Sequence, residues 1–325
     1  MIYNALKNSR AFKLFLNDVK KGLTHAYIIS TTDEDILPDF FRLVACAIFC
    51  EKSDACLECS ECKKIIDMVN PDVIEINLEK AKIKVDAIKD LVSSAVIKPV
   101  NGVHKLYYIN CADLMTREAQ NKLLKTLEEP PEGVTIFLGT ANTSAILDTV
   151  KSRCRTVPID RFDFETVYRE MLELTGDENL SAIAASCSEG KLSQAAKIAI
   201  NPDYIESFNL AIDMLLKVKR SSDILGFISS EGAKKEIERG LEQFLTVLSV
   251  LLRDVLILNF DDELILSKHV LSKIAPLKSD ISVVAAGKCI FEINRARAKL
   301  KQNIPKEVVL ERLLFTILEV KYRCR

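Results

Sequence analysis

The chain has no charge to spare. Its 325 residues carry 45 lysines and arginines against 46 aspartates and glutamates, a formal net charge of −1. No excess drives non-specific binding to nucleic acid or to an anionic membrane, so any contact with DNA is local or shared with partners. Long apolar runs are missing too. The longest, FLTVLSVLLRDVLIL from Phe244 to Leu258, is broken by Arg253 and Asp254. It falls short of the roughly 20 residues a membrane helix needs and reads as a buried helix of a bundle. The N-terminus, MIYNALKNSRAFKLFLNDVKKG, lacks the apolar core and cleavage site of a secretory signal. Its charged and apolar residues alternate at helical spacing, as in a surface-packed helix. Without an export signal, the ten cysteines are expected as thiols or metal ligands in a reducing cytoplasm, not as disulfides. Low-complexity segments and repeats are absent.

What is present is a regular alternation. From Leu23 to about Ile159, β-rich runs (HAYIIS, DVIEIN, KLYYIN, GVTIFLGT, RTVPI) alternate with helical patterns, which predicts a parallel sheet with helices on its faces. In the pattern after Thr116, Ala119, Leu123 and Leu127 lie at i, i+4 and i+8. It stops at Pro130, which has no amide hydrogen and disfavours helix at the residue before it. Beyond about Asp160 the strand signal ends. Residues 161–202 hold two or three short helical segments, and 203–325 longer amphipathic helices. The expected architecture is an α/β domain over 1–160, a small helical domain over 161–202 and a larger helical bundle over 203–325.

Cys50, Cys56, Cys59 and Cys62 form C-x5-C-x2-C-x2-C. Four thiolates so close can surround one Zn2+ tetrahedrally, and closed all-sulfur sites are normally structural. Unrelated cytosolic thiols are the other reading. Lys52, Lys63 and Lys64 are placed to offset the net double negative charge of such a site. Cys46, one helical turn before Cys50, is the rival ligand. A catalytic zinc would need an open position and usually histidine or carboxylate ligands, and none of the three histidines falls in the cluster. A nucleic-acid-gripping zinc module would call for interleaved aromatic and basic residues, which do not flank these cysteines.

The turn after the first strand, STTDEDILP, has the frame of a phosphate loop, between strand and helix, and none of its chemistry. It holds Asp33, Glu34, Asp35 and Pro38 in place of glycines and lysine. The strand KLYYIN ends in Asn110 and Cys111, where an ATPase would carry the acids that hold magnesium. Asp113 reads as a helix-start partner. In LDTVKSRCRTVPI, Arg153 lies between a short helix and a strand. Two roles stay open on these residues alone: capping helix-end carbonyls, or projecting toward a neighbouring molecule's terminal phosphate.

HAYII at 25–29, the four cysteines, NPD at 70–72, NKLLKTLEEPP at 121–131, SRC at 152–154 and QNIPKEVVLERLL at 302–314 occur in this order. Together, and nearly end to end, they resemble the bacterial clamp-loader AAA+ family. The resemblance implies an AAA+ parallel-sheet domain with a zinc-binding insertion, then a small helical lid and an all-α collar through which subunits form a ring. It aligns the loop without gaps, so that the glycine, lysine and threonine positions of ATP-hydrolysing relatives fall at Thr31, Glu34, Ile36, Leu37 and Pro38. The sensing arginine of the lid falls at Ser193. A loop without glycine keeps backbone amides from phosphates, leucine replaces the lysine charge, and three carboxylates repel a nucleotide's tail.

ATP is therefore not expected to be bound productively. The resemblance implies a non-hydrolysing subunit of the clamp loader of the replicative DNA polymerase III. Arg153 would be supplied in trans to an adjacent ATPase subunit, with Arg155 as competitor. Implied partners are the tau/gamma ATPase subunits and the delta subunit, with primer-template DNA and the sliding clamp met through the complex; no membrane is involved and the location is cytoplasmic. The gap of five between Cys50 and Cys56 is shorter than the family's common spacing. The alternatives are an active AAA+ ATPase with an atypical phosphate loop and a zinc-dependent nucleic-acid-binding module.

Overall fold

The computed structural model describes residues 2–52, 54–100 and 103–324, and for Glu263 the backbone alone. The chain forms two compact units, Met1–Phe162 with Lys191–Ser193, and Asp163–Gly190 with Gln194–Arg325.

The first unit is built on β1 (Ala26–Ser30), β2 (Val73–Ile76), β3 (Lys105–Ile109), β4 (Val134–Thr140) and β5 (Arg155–Pro158). They form one sheet in the order β2-β3-β4-β1-β5, and every pair is parallel. Helices α1 (Tyr3–Asn8), α2 (Arg10–Lys21), α3 (Leu37–Phe49), α4 (Ser60–Ile66), α5 (Val85–Ala95), α6 (Arg117–Glu128) and α7 (Asp148–Lys151) complete the unit. All residues of β3 and β4 are buried, which is why these strands read as near-continuous apolar runs. One face of the sheet is aromatic: Tyr27 stacks on Phe137 at 5.2 Å and Phe41 on Tyr108 at 4.6 Å between centroids. The other holds Ile28, Tyr107, Ile136, Leu123 and Leu127. The β4 backbone and the aromatic layer approach closely at Gly139, where a Cβ would sit 2.5 Å from the Tyr108 hydroxyl.

Local chemistry sets the helix ends. Thr116 accepts the Ala119 amide hydrogen and caps α6, which stops before Pro130 as expected. The N-terminal pattern is two helices, because Ser9 leaves the helical region and accepts the Phe12 amide hydrogen at 3.1 Å. The inner face of α2, with Phe12 and Phe15, is fully buried.

The second unit is helical throughout. It contains α8 (Phe164–Thr175), α9 (Glu178–Cys187), α10 (Leu192–Ala199, whose first residues group with the first unit) and α11 (Asp203–Lys217). Then come α12 (Ser221–Ile228), α13 (Glu231–Arg239), α14 (Glu242–Ile257), the short α15 (Leu271–Ile274) and α16 (Leu277–Asp280), α17 (Val283–Leu300) and α18 (Lys306–Arg323). The apolar run at 244–258 is α14, buried along most of its length. No helix among the described residues is long and apolar enough to cross a membrane.

Candidate functional site

In an open parallel sheet, ligands bind beyond the carboxyl ends of the strands, where the strand order reverses. Here that point is the end of β1 beside β4. The Thr31 amide donates to the Thr140 carbonyl at 3.1 Å and the Asp33 amide to the Thr31 hydroxyl at 3.2 Å. A 3-10 turn over Glu34–Ile36 leads into α3, which starts at Leu37 with Pro38 in its first turn. Ile36 and Leu37 are 1% and 0% exposed. The Leu37 side chain, which the resemblance sets at the lysine position, thus lies in the core.

The loop carboxylates are already engaged. Asp33 is buried and accepts the Ser193 amide hydrogen at 3.0 Å and the Ser193 hydroxyl. Glu34 and Asp35 both hold the Lys80 ammonium, Glu34 at 3.1 Å. The loop closes on Ser193, the residue that the resemblance sets at the sensing-arginine position.

At the end of β3, Asn110 is fully buried. Its amide oxygen accepts from the Tyr108 hydroxyl at 2.9 Å and its amide nitrogen donates to the Asn77 carbonyl at 3.3 Å. Asn77 returns the bond to the Asn110 carbonyl at 3.0 Å. Asn110 therefore joins the ends of β2 and β3. Cys111 has a left-handed backbone, and burial, with Glu34 adding to it, pushes its thiol up to about 11, so it stays protonated at neutral pH. Asp113 accepts from the Thr140 hydroxyl at 2.7 Å. It is not the helix-start partner read from sequence, because α6 takes Thr116 as its cap.

The four cysteines converge. Cys50 ends α3, its amide bonded to the Cys46 carbonyl at 2.8 Å, and Cys62 lies in the first turn of α4. Between them Ala55 and Leu57 take φ of 54° and 63°, which folds the chain back around Cys56. The sulfurs of Cys50, Cys56, Cys59 and Cys62 all lie within 4.8 Å of one another. Tetrahedral bonds of about 2.3 Å require sulfurs about 3.8 Å apart, so small side-chain adjustments complete the cage. Backbone amides of Glu58 and Cys59 pull the Cys56 thiol down, and the Cys62 amide does the same for Cys59. Burial pushes Cys62 up. The set could hold a metal ion. Cys46 stands apart: it is fully buried, donates its S–H to the Cys62 carbonyl at 3.7 Å, and is pushed up to about 12 by burial.

Arg153 lies between α7 and β5, about a third exposed. One guanidinium nitrogen donates to the Thr149 carbonyl at 2.8 Å, which is the helix-end capping left open by the sequence, and another pairs with Glu128 at 2.7 Å. Arg155 is tied inward instead. It meets the buried Asp18 at 2.6 Å, whose carboxylate also accepts from the Tyr27 hydroxyl at 3.3 Å. The Asp33–Ser193 bond joins residues 160 positions apart, and no local pattern announces it. The Asn77–Asn110 pairing and Lys80 escaped the sequence reading for the same reason.

A family model described as "DNA polymerase III, delta subunit" matches residues 7–163. The DNA polymerase III subunit delta' of Bacillus subtilis is 25% identical over 320 residues, covering 95% of this chain and 96% of that one. The DNA polymerase III subunit tau of Escherichia coli is 30% identical over 183 residues, 54% of this chain but only 28% of that longer protein. Among solved structures, a gamma subunit-related protein of Thermotoga maritima aligns over 95% of this chain and 99% of that one, at 18% identity and a TM-score of 0.46. The chain is thus similar to the clamp-loader subunits of DNA polymerase III, the delta', tau and gamma group. Within that group, the likeness to the delta' subunit spans both chains nearly end to end.

Proposed function

We propose that the chain is a non-hydrolysing, rigid subunit of the clamp loader of DNA polymerase III. In this reading it supplies Arg153 in trans to a neighbouring tau/gamma ATPase subunit while the loader places the sliding clamp on primer-template DNA. The observation that carries it is the loop after β1. Asp33 is bonded to Ser193, Glu34 and Asp35 are bonded to Lys80, and Leu37 is buried where an ATPase has its lysine. A triphosphate entering there would find no glycine amides and no lysine. It would have to displace three satisfied carboxylates, each repelling it. Asn110 and Cys111 add no charge that could hold magnesium.

Residues 161–202 act as the lid and 203–325 as the collar that joins the ring, alongside tau/gamma and delta subunits, in the cytoplasm. The four cysteines hold a structural Zn2+, with Cys46 as a neighbour and not a ligand. That assignment is supported by the mutual approach of the sulfurs and by the carbonyl that Cys46 already serves. For the edge arginine, the Glu128 pair is partly solvent-exposed on both sides and worth roughly 0–1 kcal/mol. A neighbour's terminal phosphate outcompetes so weak a partner. Arg155 is held by a buried carboxylate and is the less available of the two.

The test is a reconstituted loader carrying Arg153→Ala. Assembly is expected to persist while clamp- and DNA-stimulated ATPase falls; unchanged ATPase rejects the role. Titration of the isolated chain with ATP is expected to show no micromolar binding, and such binding would reject the sealed loop.

A further inference from the structure

The sole acid of α2, Asp18, lies on the buried face, where Tyr27 and Arg155 engage it. The exposed face carries Arg10, Lys13, Leu14, Asn17, Lys20 and Lys21. At 100° per residue these six side chains fall within one 120° sector. Four are cations, and among the described residues none of the four has an acidic partner. The chain as a whole is charge-balanced, so this is a local concentration. From Arg10 to Lys21 the ladder spans about 16 Å at 1.5 Å per residue.

We propose that the outer face of α2 is a docking surface for the phosphate backbone of duplex DNA, sequence-independent and electrostatic. Charge complementarity commits it to a polyanion, and two observations narrow the choice. A membrane-surface helix must insert its apolar face, but that of α2 (Ala11, Phe12, Phe15) is already in the core of the first unit. Single strands are held by stacking on aromatic side chains, and the face has none, Leu14 being its one large apolar residue. A row of cations without a stacking platform suits a duplex, which offers one charge per about 1.7 Å of axis. The surface rests on the clamp-loader reading for the choice of DNA. Its test reads duplex affinity of the lone chain, so its failure is distinct from failure of the Arg153 assay.

The experiment is fluorescence anisotropy of a labelled 20-base-pair duplex with the full chain, at salt concentrations from 50 to 200 mM. Four phosphate contacts give a slope of log affinity against log salt of about −3.6, a loss on the order of 10²-fold across that range. Lys13→Glu/Lys20→Glu is expected to lower affinity at least tenfold at 50 mM and to bring the slope to about −1.8 or shallower. Lys122→Glu/Lys125→Glu on α6, with the same change in net charge, is expected to leave both unchanged. All four positions are exposed, and circular dichroism checks the fold. The milder Lys13→Gln/Lys20→Gln serves if the reversal misfolds, with an intermediate loss expected. No duplex binding at 50 mM, or equal losses in the α2 and α6 variants, overturns the proposal. So does tighter binding of a single strand of the same length, or α2-dependent binding to phosphatidylserine vesicles.

Discussion

Placing a lysine at position 37 should not create a phosphate site. Leu37→Lys puts an ammonium where a side chain is 0% exposed. Losing the buried leucine costs about 2 kcal/mol. The new group must then either stay charged in the core or give up its proton. Neutralising a lysine of ordinary pKa near 10.4 at pH 7 costs up to about 4.6 kcal/mol, at 1.36 kcal/mol per unit. The total, about 4–7 kcal/mol, rivals the 5–15 kcal/mol that stabilises a typical domain. The protons give the sign of the pH effect. The folded-state pKa is depressed, so the unfolded chain binds more protons and the stability of the variant rises as pH rises toward 10. Urea unfolding of wild type and Leu37→Lys at pH 7 and pH 9 measures both quantities, and ATP titration of the variant completes the test. A loss below about 1 kcal/mol with no pH dependence would refute the buried placement. Micromolar ATP binding would refute the reading of the loop as sealed by its own side chains.

Elemental analysis of protein purified without chelators should find one zinc per chain, kept in Cys46→Ala and lost in Cys62→Ser; zinc lost equally from Cys46→Ala would make Cys46 a ligand. Gly139→Ala should destabilise the first unit by about 1–3 kcal/mol in urea, because the added carbon meets the ring of Tyr108, which is buried and stacked on Phe41 and cannot move without breaking the aromatic layer. Arg155→Ala should cost about 1 kcal/mol of stability by leaving Asp18 with Tyr27 as its remaining partner, yet leave the ATPase of the reconstituted loader intact. A fall in ATPase matching that of Arg153→Ala would reassign the trans role.

The elements that could be read ahead of the structure are those whose signal is local. The strands β1, β3 and β4 are buried at all but the last residue of β1 and are therefore largely apolar. Helix α6 announces itself by Thr116, by the Ala119–Leu123–Leu127 stripe and by Pro130. The cysteine spacing is an address written in thirteen residues, and the structure brings all four sulfurs together. Ser9 was an equally local cap, and it divides the N-terminal pattern into two helices. What stayed hidden is pairing at a distance. Asp33 looked like one of three repelling carboxylates, and only the fold reveals that Ser193 satisfies it from the start of α10. Asp113 looked like a cap until Thr140 supplied its donor. A polar side chain in a loop can be satisfied by any donor the fold brings near, and periodicity carries no information about which.

The frame of the site and its contents rest on different energies, and this explains how one stands without the other. Leu37, Phe40 and Phe41 of α3 are all fully buried, and Phe41 stacks on Tyr108. Burial of each such side chain contributes about 1.5–3 kcal/mol, so α3 and β1 are held by packing that involves no ligand. The loop between them contributes little to that core beyond Ile36. Its polar residues need only find donors, and Ser193 and Lys80 provide them. A nucleotide is therefore not required to order the loop, since the donors its carboxylates need are already present within the chain. The same internal satisfaction opposes ATP: to bind, it would have to break the Asp33–Ser193 and Lys80 contacts and place its phosphates beside the freed carboxylates. At Arg153 the balance runs the other way, because a partly exposed pair with Glu128 is cheap to exchange. Charge that is locked in the loop is exchangeable at the edge, and in the proposed role it is at the edge that a neighbouring subunit would find it.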